Sequence, residues 1–172
     1  MNKLILITIL LLTGCTTLKE SKIVPHTEYF VKTADLYRRV DGIPQPSVKF
    51  VGNGTDLLRE VNNYANKRIT YTNEVKGADY WQSPLETEEQ RRGDCEDFAI
   101  YKMQLLIANG IPEKDLSIVV GNNFSGIAHA VLRVKLNNGV YYLDNQTGAI
   151  YGNPIVSPVY TINRFGYSKF TK

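Results

Sequence analysis

The feature that most limits what this chain can fold into is a change of hydrophobic period at Gly110-Ile111-Pro112. Before that point apolar residues recur at helical spacing. After it they alternate, in short runs separated by turn residues, as strands do. Asn138-Gly139, between two alternating runs, is a strong signal for a two-residue hairpin turn. Helices first and consecutive antiparallel strands afterwards make an α+β domain, with the N-terminal helices packed on an antiparallel sheet. The 172 residues suffice for one domain of ordinary size and not for two large ones.

Individual elements follow from the same signals. Leu57, Leu58, Val61, Tyr64 and Ala65 predict an amphipathic helix over about 56–68, with Thr55-Asp56 as its cap. Ser83-Pro84-Leu85-Glu86 reads as a capping box with proline in the first turn, opening a short helix that stops at Gly93. Another helix starts at once. Asp94 caps it, Asp97 stands three residues on, and Cys95, Ala99, Met103 and Leu106 form one stripe before Gly110 and Pro112 end it. Strands are expected at Leu116–Gly121, about Ala128–Leu136, Val140–Asp144 and about Val159–Phe165.

Charge and cysteine usage narrow the function classes. Lys and Arg number 20 against 17 Asp and Glu, and the net charge of +3 with no basic run argues against a nucleic-acid partner. Two cysteines are too few for a disulfide scaffold or a cysteine-based zinc cluster.

The N-terminus has the layout of an export signal. Met-Asn-Lys precedes Leu4 to Leu12, apolar except for Thr8 and too short to span a membrane. Leu12-Thr13-Gly14-Cys15 resembles the lipobox of bacterial lipoproteins. The resemblance implies cleavage before Cys15, lipid on Cys15, and periplasmic exposure; Thr16, in place of Asp, points to the outer membrane. A plain signal peptide that happens to contain a cysteine is the alternative. The expected division is a signal over 1–14, a lipidated N-terminus and tether over 15–50 with a loosely attached amphipathic stretch near Ala34–Val40, and a compact domain over 51–172. With lipid on Cys15, Cys95 has no partner in the chain. A single thiol in an exported protein is either buried and inert or kept for its reactivity.

Cys95 falls at a helix start, where unpaired N–H groups and the dipole favour a thiolate. His129 opens one strand of the hairpin and Asp144 ends the other. Cysteine, histidine and aspartate so placed are the parts of a thiol hydrolase. Taken singly, each has a structural reading: a core cysteine, a satisfied strand histidine, an aspartate that starts a turn. A strict turn at Asn138-Gly139 would also pair Arg133 with Asp144. That leaves His129 four residues away, roughly 13 Å at about 3.3 Å per residue. Either a longer loop shifts the register or a bulge intervenes.

The local sequence around these residues is similar to a known family. Asp79-Tyr80-Trp81-Gln82-Ser83-Pro84-Leu85-Glu86, then Gly93-Asp94-Cys95-Glu96-Asp97-Phe98-Ala99-Ile100, resembles the bacterial transglutaminase-like cysteine proteinases. Ala128-His129-Ala130-Val131-Leu132, Leu143-Asp144-Asn145 and Pro158-Val159-Tyr160 follow in the family's order, and Val61-Asn62-Asn63 with Ile69-Thr70-Tyr71 fits upstream. The resemblance implies a papain/transglutaminase-like fold and a catalytic triad of Cys95, His129 and Asp144. It implies Ca²⁺ as cofactor, held by Asp94 and Glu96 with Asp97 as a further ligand. The best understood members are calcium-dependent periplasmic proteases that clip a large biofilm adhesin and are sequestered by an inner-membrane cyclic-di-GMP receptor.

The acidic residues also have a local argument. Asp94, Glu96 and Asp97 crowd the thiol with negative charge, which disfavours its ionisation; a hard cation on oxygen ligands would reverse that. Alternatively these acids only cap the helix and complement its dipole. Two departures from the family bear on the adhesin substrate and the receptor: the lipobox, where the familiar members look soluble, and the short chain. The function expected is a lipid-anchored cell-envelope cysteine endopeptidase acting on a protein substrate, with an adhesin as one candidate. Acyl transfer to an amine, as in transglutaminases, and a non-catalytic envelope-binding lipoprotein are the alternatives.

Overall fold

The structure, a computed structural model, describes residues 26–73, 79–164 and 166–169. The signal segment and Cys15 lie outside these residues. Four helices come first: α1 (His26–Val40), α2 (Gly54–Arg68), α3 (Pro84–Gln90) and α4 (Cys95–Ala108). Two short strands, β1 (Thr70–Tyr71) and β2 (Arg92–Gly93), pair in parallel among them. After a 3₁₀ turn at Glu113–Asp115 come β3 (Leu116–Asn122), β4 (Ala128–Leu136), β5 (Gly139–Leu143), β6 (Ile150–Tyr151), β7 (Ser157–Asn163) and β8 (Gly166–Lys169). They form one antiparallel sheet in the order β6-β5-β4-β3-β7-β8. The change of period at Gly110–Pro112 therefore does separate a helical half from a sheet half, and the α+β expectation holds.

The sheet turns Ile118, Val120, Ala130, Leu132, Val134, Leu143 and Ile162 toward the helices. The alternate residues Val119, Val131 and Tyr142 pack with Val156 in a smaller cluster on the other face. α4 fills the centre. Every residue from Asp97 to Met103 is buried, so the single stripe read from the sequence understates its enclosure. α2 and α3 pack on α4, and α2 also reaches β6 at the sheet edge.

The expectation that the compact part begins near Val51 is corrected by α1. Leu36 of α1 is buried in the main core, and Tyr29 lies against Trp81 and Tyr160. Arg39 joins α1 to α3 through Glu86, at 2.7 Å, while donating to the Trp81 carbonyl. The segment after α1 is fixed too: Asn109 Nδ2 donates to the Val48 carbonyl at 2.7 Å, and Phe50 N–H donates to Asn109 Oδ1 at 3.1 Å. A stretch with two prolines reads as a tether, but Val48 and Phe50 anchor it to the core.

Three local expectations also change. α2 starts at Gly54 after Asn53, and no side chain caps it. α3 stops at Arg91, which takes the left-handed conformation (φ 56°), rather than at Gly93. The last long strand begins at Ser157, two residues early, and Phe165 lies outside the described residues. The capping box of Ser83 and Glu86 is present as expected.

The hairpin turn differs from the strict Asn138-Gly139 expectation. Leu136 pairs with Gly139, so the two turn residues are Asn137 and Asn138. Neither asparagine has a positive φ, and Gly139 takes it instead, at 150°. Sliding the turn back by one residue moves the register by two. Leu132 now faces Leu143, which brings Asp144 opposite Val131 and leaves His129 two residues away rather than four. Neither a longer loop nor a bulge between β4 and β5 is needed. Because Gly139 holds a backbone conformation that a side chain strains, Gly139→Ala should cost about 1–3 kcal/mol of stability. Urea unfolding measures this, and an unchanged midpoint would show that the register does not depend on this glycine.

Candidate active site

β4 begins and β5 ends beside the start of α4. From positions two residues apart along the ladder, the His129 and Asp144 side chains close the diagonal gap. Nε2 of His129 meets Oδ1 of Asp144 at 2.8 Å, and both side chains are buried. The Asp144 carboxylate also accepts the Gln146 backbone N–H, so this aspartate starts a turn and holds a histidine at once. Burial pushes its pKa up, but the His129 hydrogen bond and charge outweigh that and hold it below the ordinary value. With Nε2–H directed at Asp144, Nδ1 is the ring atom left to take a proton.

Cys95 is the first residue of α4 and is half-buried. The Ala130 backbone N–H, next in chain to His129, donates to its sulfur, which places the thiol against β4. Asp94 and Asp97 close a capping box around the helix start. β2 brings the chain in close here. A Cβ on Gly93 would sit 2.6 Å from the Cβ and Oδ2 of Asp97, so only glycine fits.

Asp97 is fully enclosed. Its Oδ1 accepts Gln82 N–H at 2.8 Å; its Oδ2 accepts Gln82 Nε2–H at 2.7 Å and Asp94 N–H at 3.2 Å. Burial and the Asp94 charge nonetheless push its pKa up to about 7. Asp94 is raised by burial, with a contribution from the charge of Asp79, which is ion-paired with Lys32 of α1. Glu96 is raised well above the carboxylate range by burial and by Asp94.

Burial and these acids together decide the state of the thiol. Burial pushes Cys95 up, the Glu96 charge pushes it further, and its S–H donates to Glu96 Oε2 at 3.1 Å. The helix start and the Ala130 N–H favour a thiolate, but desolvation and like charge win.

The three acids do not gather around one point. Among the described residues, no three His, Cys, Asp or Glu side chains are grouped to hold a metal ion. Asp97 is taken up by Gln82 and the capping box, whereas Asp94 and Glu96 remain a pair. Asp94 Oδ1 is buried and meets no hydrogen-bond donor. An acceptor-only oxygen without a donor, beside a second raised carboxylate, suits a hard cation with oxygen ligands, so this pair fits Ca²⁺.

Sequence reasoning missed four residues around this site: Gln82, which holds Asp97, and Asn62, Asn66 and Lys102, which grip the chain at Asp144 and beyond. Asn62 and Asn66 stand one turn apart on the face of α2 that carries Leu58 and Ala65. A polar pair on an apolar face was the readable signal. Lys102, seven residues after Cys95 on the same helix face, was readable in the same way.

The sequence profile of the bacterial transglutaminase-like cysteine proteinases matches residues 21–155. The chain belongs to this family. It is a transglutaminase-like cysteine peptidase. No curated protein matches the sequence. Among solved structures, LapG of Legionella pneumophila is similar in calcium-bound form, with 27% identity over 84% of this chain and 79% of that one and a TM-score of 0.61. An EGTA-treated form of the same protein has 27% identity, covers 84% and 77% of the two chains, and has a TM-score of 0.62. A third LapG structure has 28% identity over 83% and 78%, with a TM-score of 0.60.

The raised acid gives this peptidase a pH signature. Folded Asp97 keeps its proton to about 7, while the unfolded chain releases it in the ordinary aspartate range, near 3.8. The folded state therefore binds more protons across that window, and stability falls as pH rises through it. Asp144 and Glu88 are lowered, so their contribution is already present above the carboxylate range and is lost only as pH falls. In chelator, the urea midpoint of Asp97→Asn relative to wild type should improve between about pH 5 and about pH 7. A difference independent of pH would mean that Asp97 is ionised throughout.

Proposed function

We propose that this peptidase is a cell-envelope endopeptidase that hydrolyses a peptide bond of a protein substrate, such as a surface adhesin, through a triad of Cys95, His129 and Asp144. The buried His129–Asp144 contact of 2.8 Å beside the thiol-bearing helix start carries the reading. Cys95 attacks the scissile carbonyl. His129 takes the thiol proton at Nδ1 and returns it to the leaving amine, while Asp144 keeps Nε2–H in place. Water then releases the acyl group from the sulfur, aided by the same imidazole.

Asp94 and Glu96 are proposed as the ligands of Ca²⁺. The calcium-bound and EGTA-treated forms of LapG support a role for that ion in the family. Bound there, the cation would supply positive charge that offsets the two carboxylates beside the thiol. Glu96 would then no longer accept the S–H, and the sulfur is left to the Ala130 N–H and the imidazole. Cys15 is proposed as the lipid anchor to the outer membrane, a role lost if Cys15→Ser still fractionates with membranes.

Incubating the purified protein with envelope proteins, and sequencing the new N-termini by mass spectrometry, tests the activity. Cys95→Ser should yield none. His129→Ala should lower the rate about 10²- to 10⁴-fold, and Asp144→Asn somewhat less. EGTA should suppress cleavage and Ca²⁺ restore it; Asp94→Ala or Glu96→Ala should abolish the response. Cleavage by Cys95→Ser would remove the thiol from the mechanism, and full activity in chelator would leave the acids as helix caps. Incorporation of a labelled primary amine in place of hydrolysis would identify acyl transfer instead.

A further inference from the structure

The enclosure of α4 puts a lysine inside the protein. Lys102 is 1% exposed, and its Nζ donates to the backbone carbonyl of Asp144 at 2.8 Å. The same Nζ lies 5.6 Å from the centroid of the Phe98 ring. Among the described residues no carboxylate forms an ion pair with it. A buried ammonium without an ion pair is costly, and an apolar side chain of similar length would pack there at lower cost. Burial accordingly pulls its pKa down to about 7, against the pull of Asp144. Stability does not explain a lysine at this position.

The group it touches is held by a second donor. Asn66 Nδ2 donates to the Asp144 carbonyl at 2.9 Å and to the Thr147 carbonyl at 2.9 Å. One turn earlier, Asn62 Nδ2 reaches the carbonyls of Thr147 at 3.0 Å and Ala149 at 3.1 Å. The loop presses against α2, since a Cβ on Gly148 would sit 2.2 Å from Asn63 Oδ1. Residues 144–149 lie between β5 and β6 without ladder partners, so these donors stand in for a sheet. Asp144 thus receives two donors on its backbone oxygen and His129 on its carboxylate.

We propose that Lys102 and Asn66 are positioning residues of the active site: converging on the Asp144 carbonyl, they fix the peptide from which its carboxylate reaches His129 Nε2. The inference rests on the reading of Asp144 as the residue that orients the imidazole. Fixing the carbonyl fixes the Cα–Cβ direction at a strand end where the ladder no longer does so. A displacement of about 1 Å in such a group can cost about 10²-fold in rate.

The test uses the full chain in Ca²⁺ and two probes. One is the rate at which iodoacetamide alkylates Cys95, followed on its tryptic peptide. The other is the ring N–H resonance of His129 in ¹⁵N-histidine-labelled protein; the chain has 2 His, so loss of the signal in His129→Ala assigns it. Lys102→Met should slow alkylation about 10- to 100-fold and shift or broaden the resonance, while the thermal midpoint stays or rises. Asn66→Ala should act in the same direction, and Lys102→Gln, which keeps a donor, should recover part of the rate. A purely structural lysine would lose stability and reactivity together, with no recovery in Lys102→Gln, and that result overturns the proposal. Rates within about twofold of wild type and an unchanged resonance in both Lys102→Met and Asn66→Ala also overturn it. If Lys102→Met does not fold, Asn66→Ala, at a half-buried position, decides alone. Asp144→Asn separates the two levels: no effect of that change removes the triad reading and this inference together, whereas an effect of Asp144→Asn alone removes only the inference.

Discussion

Four consecutive ionisable side chains, Asp94, Cys95, Glu96 and Asp97, are folded into the start of one helix, and water is largely kept from them. Burial raises the pKa of all four; the Asp94 charge raises Cys95, Glu96 and Asp97 further, and the Glu96 charge raises Cys95. The surroundings are shaped by this crowding. Gly93 lets β2 approach Asp97, Gln82 supplies Asp97 with two donors, and the capping box ties Asp97 back to the Asp94 N–H. Asp97 is fully enclosed and cannot relieve the repulsion by turning to solvent, and the other three are partly buried beside it. What remains is proton retention, hydrogen bonding among themselves, or a cation.

The other half of the site depends on strand register. His129 and Asp144 belong to neighbouring strands, and whether they meet is decided at the opposite end of the hairpin, by which two residues make the turn. Placing it at Asn137 and Asn138 brings the pair to 2.8 Å. Beyond the last rung of β5, donors from α2 and α4 take over the backbone of Asp144. Helix packing and sheet register are therefore coupled at one carbonyl oxygen.

The helices and long strands were legible because their signals are local. The Ser83–Glu86 capping box, the Gly110–Pro112 break and the alternation in β3 and β4 each announce themselves within a few residues. Cys95, His129 and Asp144 drew notice as a helix start, a strand start and a strand end, but the contact of His129 with Asp144 was not legible, because an asparagine-glycine pair favours a turn one residue later than the one formed. The docking of α1 was hidden because it depends on distant partners: Arg39 on Glu86, Tyr29 on Trp81. Asp97 could not be told from its neighbours by type, and the Gln82 contacts that hold it inward come from a residue fifteen positions away. Lys102 was legible as a polar residue on the face that carries Cys95, but its full enclosure was not, because an all-round apolar helix cannot be inferred from one stripe.

We propose that burial and the carboxylates beside Cys95 hold its proton and that a cation on Asp94 and Glu96 releases it. Titrating the ultraviolet absorbance of the Cys95 thiolate, with Cys95→Ser as the blank, in chelator and in saturating Ca²⁺ tests this most directly. The expected result is a thiolate midpoint well above the ordinary thiol range in chelator and a clear fall on adding Ca²⁺, absent in Glu96→Ala. Identical titrations with and without Ca²⁺ would contradict it.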